Sequence, residues 1–201
     1  VYRFLSVVRN DIAIYLKFNY NSYHLIPEDA NSNSLDGIKH TMTTIKPTAS
    51  SPFRGLGGKA YLFGWNPLKF AWADIDDDIK TLATTGKYEE SWTVASHKTI
   101  RPGDRAYVVR VGVEPKGIFA SGYIVSEPYL AFRKGRHYYR IDIALDVLLN
   151  PDKQPILTLA ILKTGNLAAQ TWTPQGSGIS IRPELVDELE GVWMDFLHPE
   201  E

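Results

Sequence analysis

The 201-residue chain contains no cysteine, so disulfides and cysteine-based metal sites are excluded. A reducing, cytoplasmic compartment is the expected setting. No apolar run approaches the roughly 18 residues that a membrane span needs. The N-terminal VYRFLSVVRND lacks both a signal-peptide layout and an initiator methionine, which reads as a cut or processed chain. Catalytic signatures are missing too. Neither G-x-S-x-G nor a P-loop occurs, and H-E-x-x-H is absent. No PD-(D/E)XK array or His-Asn-His arrangement stands out. The five histidines, His24, His40, His97, His137 and His198, are scattered without ligand spacing. The acids Asp74, Asp76, Asp77 and Asp78 fall at a helix start, where carboxylates complement the dipole, so no metal is read there. No enzymatic activity and no cofactor are expected.

The chain also lacks net charge, at −1, which argues against uniform binding to nucleic acid. The distribution says more. Residues 98–140 carry nine basic side chains and three acids, a local +6 that leaves −7 for the rest. Segregation of this kind reads either as a basic patch that could hold a polyanion or as the ordinary polar faces of strands.

Hydrophobic residues make up 44% and charged residues 22%, the composition of a globular chain. Two regions separate. In residues 1–58, DIAIYLKF alternates as a strand and PEDANSNSLDG reads as a loop. KPTASSPFRGLGG (46–58) has linker composition. The first region is too short for a convincing core of its own, so it is an extension or the tail of a preceding domain.

Residues 59–201 form the second region. KAYLFGW (59–65) reads as a strand ended by Asn66-Pro67. ADIDDDIKTLATT (73–85) has helical spacing, with Gly86 able to end it. YVVRV (107–111) and GIFASGYIV (117–125) read as a hairpin, and YYRIDIALDVL (138–148) as a further strand. PILTLAILK (155–163) fits strand or helix. Arg182-Pro183-Glu184 opens an acidic helix whose apolar face is Leu185, Leu189, Val192, Trp193 and Phe196. The pattern predicts an α+β fold, a small, strongly curved mixed sheet or barrel flanked by helices.

Four of the five tryptophans sit beside small or polar residues: Gly64-Trp65-Asn66-Pro67, Ala71-Trp72-Ala73, Ser91-Trp92-Thr93 and Thr171-Trp172-Thr173-Pro174. Each alone fits core or rim packing. Together they fit a base-stacking pocket, in which a ring stacks and polar neighbours read the base edge.

In order, YLFGWNPLKFAW (61–72), ESWTVAS (90–96), IRPGDRAYVVRVG (100–112), EPKGIFASGYIVSEPY (114–129) and QTWTPQGSGISI (170–181), followed by LEGVW, resemble the EVE domains of the PUA superfamily. The nearest likeness is to EVE-like domains joined to HNH nucleases in modification-dependent restriction enzymes, themselves similar to YTH readers. The likeness covers about 59–197 and implies a PUA-like barrel that reads a flipped, modified base. The pocket it implies contains Trp65, Asn66, Trp92, Thr93, Ser96, Trp172, Gln175, Ser177 and Gly178. Trp92 is the aromatic wall, Trp65-Asn66 the end of the first strand, and 172–178 the loop that closes the site. Phosphate contacts are expected from Lys98, Arg101, Arg110, Lys116, Arg133, Lys134 and Arg136. Relatives often carry a His-Trp pair after SEPY. This chain has LAFRKGRHYY, so Phe132, His137 or Tyr138 stands in that place. The implied ligand is 5-methyl- or 5-hydroxymethylcytosine in DNA, with any cleavage in a nuclease or AAA+ motor domain elsewhere. Modified RNA is the alternative, and a small-molecule, peptide or assembly adaptor is the alternative from another class.

Overall fold

The computed structural model describes residues 59–133 and 135–199, and before them the backbones of three strands. The chain divides into two compact units, Val1–Ser50 and Ser51–Glu201. In the first, β1 (Arg3–Arg9), β2 (Ile12–Asn19) and β3 (Ser22–Ile26) form an antiparallel meander. The expected strand is β2. The expected loop at 27–37 and linker at 46–58 lie outside the described residues.

The second unit is built on a mixed sheet curled into a half-barrel. Its strands are β4 (Ala60–Trp65), β5 (Tyr88–Thr93), β6 (Arg105–Arg110), β7 (Gly117–Ile124), β8 (Tyr129–Arg133), β9 (Arg136–Leu148), β10 (Leu157–Thr158) and β11 (Ile179–Ser180). The main order is β11-β4-β6-β7-β9-β5, with β10 beside β7 and β8 beside β9. Only the β4–β6 pair in this sheet is parallel among the described residues. The helices are α1 (Ile75–Thr85), α2 (Leu159–Leu162) and α3 (Val186–Leu197). The ambiguous run 155–163 is both things in turn, strand β10 and then helix α2. No described helix is long and apolar enough to cross a membrane.

Strand alternation explains the two-layered core. β4, β6 and β7 are buried along nearly their whole length, so they need apolar residues on both faces. The odd positions of β4, Tyr61, Phe63 and Trp65, join Val108, Phe119, Ile141 and Ile143 on the concave face, where α1 contributes Ile75. The even positions, Ala60 and Leu62, join Tyr107, Val109 and Ile118 beneath Leu185, Leu189 and Trp193. β9 alternates between buried and less buried residues from Arg140 to Leu145, and no residue of β5 is fully buried.

A buried polar network ties α3 to the sheet. Arg105 reaches Asp146 at 2.5 Å and Glu190 at 3.1 Å, and the Tyr107 hydroxyl donates to Glu190. Trp193 Nε1 donates to Ser121 Oγ at 3.0 Å, which in turn donates to Asp146 at 2.6 Å. Burial opposes the Arg105 charge, but Asp146, Tyr107 and Glu190 outweigh it and push the guanidinium pKa up. Burial raises Tyr123, beside the same guanidinium, to about 12.

Candidate functional site

The edges of the half-barrel meet at the predicted Trp92 segment. After β5 the chain runs on to Ala95 and Ser96, whose amides donate to the carbonyls of Ser177 (2.8 Å) and Gly178 (3.1 Å). Gly178 donates to Leu62 of β4 at 2.9 Å, and Ser177 Oγ accepts from Gly64 at 3.3 Å. The backbone therefore brings Trp92, Thr93, Ser96, Ser177 and Gly178 together. Gly178 is required by the crossing. Its φ is +68°, and a β-carbon there would lie 2.7 Å from Val94 Cγ2, 3.0 Å from Val94 Cα and 3.1 Å from Phe63.

The indole rings form a cluster behind this seam. Trp92, partly buried, packs against Phe63 and Trp72, each at 6.1 Å between ring centres. Trp72 also meets Trp65 edge-on at 6.1 Å and Phe119 at 6.2 Å. Trp65 lies one layer deeper, 5% exposed, with its Nε1 donating to the Phe70 carbonyl. Trp72 Nε1 donates to Asp78 at 2.7 Å. Trp92 differs from both: its Nε1 is buried without a hydrogen-bond partner. An unmet buried donor costs about 1–3 kcal/mol. Beside Trp92, Tyr88 donates to Glu90 at 3.0 Å. Burial, with Asp78 and Glu90 nearby, raises the Tyr88 hydroxyl far above its ordinary range.

Other predicted residues fall elsewhere. Trp172 is 2% exposed in the second core cluster, on the opposite face of the sheet, and its Nε1 donates to Leu167 O at 2.8 Å. Its small and polar neighbours reflect a loop that turns one ring inward, not a ring facing a ligand. Gln175 and Thr93 are exposed. Asn66 organises a turn: its Oδ1 accepts from Leu68 N and its carbonyl from Lys69 and Phe70.

The expected phosphate contacts divide. Arg110 is 3% exposed, inside the unit, where it pairs with Asp152 at 2.7 Å and lies 5.7 Å from the Trp65 ring centre. It cannot reach a phosphate from there. Alternation along β6 puts it on the same face as Ala106 and Val108, the face of the indole cluster. Lys116 is held by Glu114 at 3.0 Å. Lys98, Arg101 and Arg136 are exposed, although Arg101 also donates to Ile100 O and Lys98 O. The Arg133 side chain and Lys134 lie outside the described residues.

Sequence reasoning left Trp72, Phe63 and Phe119 out of the site. Phe63 was detectable as the residue two before Trp65 on the same strand face. Trp72 reaches the cluster through an irregular loop, which no period marks. His97, stacked on Tyr139 at 3.9 Å, was also missed. Among the described residues no group of three acids or histidines could hold a metal. Two shallow hollows flank Asp76 and Asn150, and Gly165 and Leu185; neither includes a residue of the indole cluster. The cluster is closed on itself, so a planar ligand must stack at the exposed part of Trp92 or displace Trp72.

Compared with protein-family models, with curated proteins and with solved structures, the chain gives no match in any of the three.

Proposed function

We propose that the second unit binds nucleic acid and reads an extruded, modified base, with modified cytosine in DNA as the target and Trp92 as the stacking wall. The partly exposed ring of Trp92, backed by Phe63 and Trp72, carries the reading. The resemblance of the ordered motifs to EVE-like domains supplies the ligand class. Thr93 and the 175–178 segment lie along the same seam and offer hydroxyl, amide and backbone groups to a base edge. Stacking is worth about 1–3 kcal/mol per base, against an extrusion cost of a few kcal/mol. In this reading the unit does no chemistry, and cleavage belongs to another domain.

Calorimetric titration with matched duplexes carrying cytosine, 5-methylcytosine or 5-hydroxymethylcytosine tests the proposal, with the same sequences in RNA as a further arm. Tighter binding to one modified duplex, lost in Trp92→Ala, is the expected result. Equal binding to all three duplexes, unchanged by Trp92→Ala, rejects it. Preference for the RNA arm moves the target and keeps the wall.

A further inference from the structure

The aromatic surface does not stop at Trp92. In β9, Ile141 pairs with Trp92, and the odd positions Tyr139 and His137 continue on the same face. Across the hairpin, Leu130 stands opposite Tyr139 and Phe132 opposite His137. These side chains therefore extend one face from the indole cluster to the hairpin tip. Exposure rises along it: Tyr139 is 37% exposed, Leu130 57% and Phe132 65%. Val94 is the last residue of the β5 segment to bond β9, through Tyr139 O. Beyond that point the hairpin projects alone. Phe132 and His137 lie three residues past Arg140, the partner of Thr93, or roughly 10 Å at the rise of a strand. Their rings meet at 5.0 Å, tilted by 52°.

The charge around this apolar tip is of one sign. From Pro128 to Ile141 there is no acid, while Arg133, Lys134, Arg136 and Arg140 are all basic. Arg140 is engaged with Ser91, and Arg136 is exposed at the tip. A base stack bordered by phosphates needs that combination: a flat or branched apolar group to enter the stack, and cations on either side.

Resting on the base-reading assignment, we propose that the β8–β9 hairpin is a wedge, with Phe132, supported by His137 and Leu130, entering the duplex where the target base has left. The wedge restores stacking in the gap and so favours the extruded state. It contributes only when there is a duplex to open. An unpaired strand carrying the same base needs Trp92 but not Phe132.

The test compares the full chain with Phe132→Ala and Trp92→Ala on three probes: a duplex with one central 5-hydroxymethylcytosine, the unmodified duplex, and the modified strand alone. Phe132→Ala is expected to weaken modified-duplex binding by about tenfold or more, the scale of one lost stacking contact. It should change single-strand binding less than about twofold on the same scale. Trp92→Ala should weaken both modified probes. Phe132 is largely exposed, so thermal unfolding of the variant is expected to match that of the parent. Equal effects of Phe132→Ala on duplex and single strand, or no effect on either, overturn the wedge while leaving the Trp92 wall intact. A self-associated parent that Phe132→Ala makes monomeric in sedimentation also overturns it, since the face would then be an interface between copies. If the parent does not prefer the modified duplex, the base-reading assignment falls and the wedge falls with it.

Discussion

Gly178→Ala isolates the crossing that closes the site. Two effects act at this position. The first is conformational: φ of +68° costs a residue with a β-carbon about 1–2 kcal/mol. The second is crowding. The new methyl would sit 2.7 Å from Val94 Cγ2, and the backbone at Val94 Cα, 3.0 Å away, cannot rotate aside as a flexible side chain could. Overpacking of this kind costs about 1–3 kcal/mol. Together they predict a loss of about 2–5 kcal/mol, or roughly 5–15 °C in Tm for a unit of this size. Gly86→Ala is the control, because it shares φ of +68° but has nothing within 4 Å, so only the first effect applies, at about 1–2 kcal/mol. Gly191→Ala, in open space within α3, should stabilise by about 0.5–1 kcal/mol. Tryptophan fluorescence in denaturant is the assay, since all five tryptophans belong to the second unit and unfolding of the first does not obscure it. Gly178→Ala should also shift Val94 and Phe63 against Trp92 and weaken ligand binding beyond the stability effect. A Gly178→Ala variant no less stable than Gly86→Ala would refute the crowding argument and the tight seam it rests on.

Two further predictions follow from buried charges. Asp104 is 3% exposed, and burial raises its carboxyl above the ordinary value of 3.8 despite the Arg101 amide at 2.8 Å. A raised folded value means its stabilisation is present below the unfolded value and is lost as pH rises through the folded one. Asp104→Asn should therefore match the parent in acid and become progressively more stable than it as pH rises above about 4; a gap that narrows with pH in paired urea titrations would contradict this. Arg110→Met should leave the salt dependence of DNA binding unchanged, because the guanidinium is internal, whereas Lys98→Ala should lower the slope by about one. A shallower slope in Arg110→Met would return that residue to the phosphate-contacting surface.

In the second unit β4, β6, β7, β9, α1 and α3 were legible because each obeys a strong local rule, whereas β5, β8 and β11, short and rich in polar or mixed residues, were not read as strands. α1 starts with acids and ends on Gly86 in the left-handed conformation. β7 and β9 carry clear apolar patterns, and Pro183 opens the turn before α3. The first unit was read less fully, since only one of its three strands alternates clearly. Backbone hydrogen bonds bring the segment of Trp92, Thr93 and Ser96 beside Ser177 and Gly178. Trp172 and Arg110 are buried instead, for a shared reason. Local context reveals that a residue stands at a loop or strand end, but not which face of a curled sheet that end presents. Arg110 follows Ala106 and Val108 onto the face of the indole cluster, and the path of the 165–180 segment turns Trp172 to the other.

The same geometry accounts for a near-neutral chain with a segregated basic window. Arg105 holds α3 through Glu190 and Asp146, Arg110 pairs with Asp152, Lys116 with Glu114, and Arg140 binds Ser91. Four of the nine basic residues are thus committed within the unit. Among the described cations of this window, Lys98 and Arg101 remain exposed in the segment after Ser96, and Arg136 at the hairpin tip. With few free cations among the described residues, the proposed reading assigns little of the binding to non-specific attraction, because that term scales with the phosphates neutralised. Recognition must then come mainly from stacking and edge contacts, which act only where a base can leave the helix. On the proposed reading the modest charge suits a selective reader, whereas a general nucleic-acid coat would need the internal arginines at its surface.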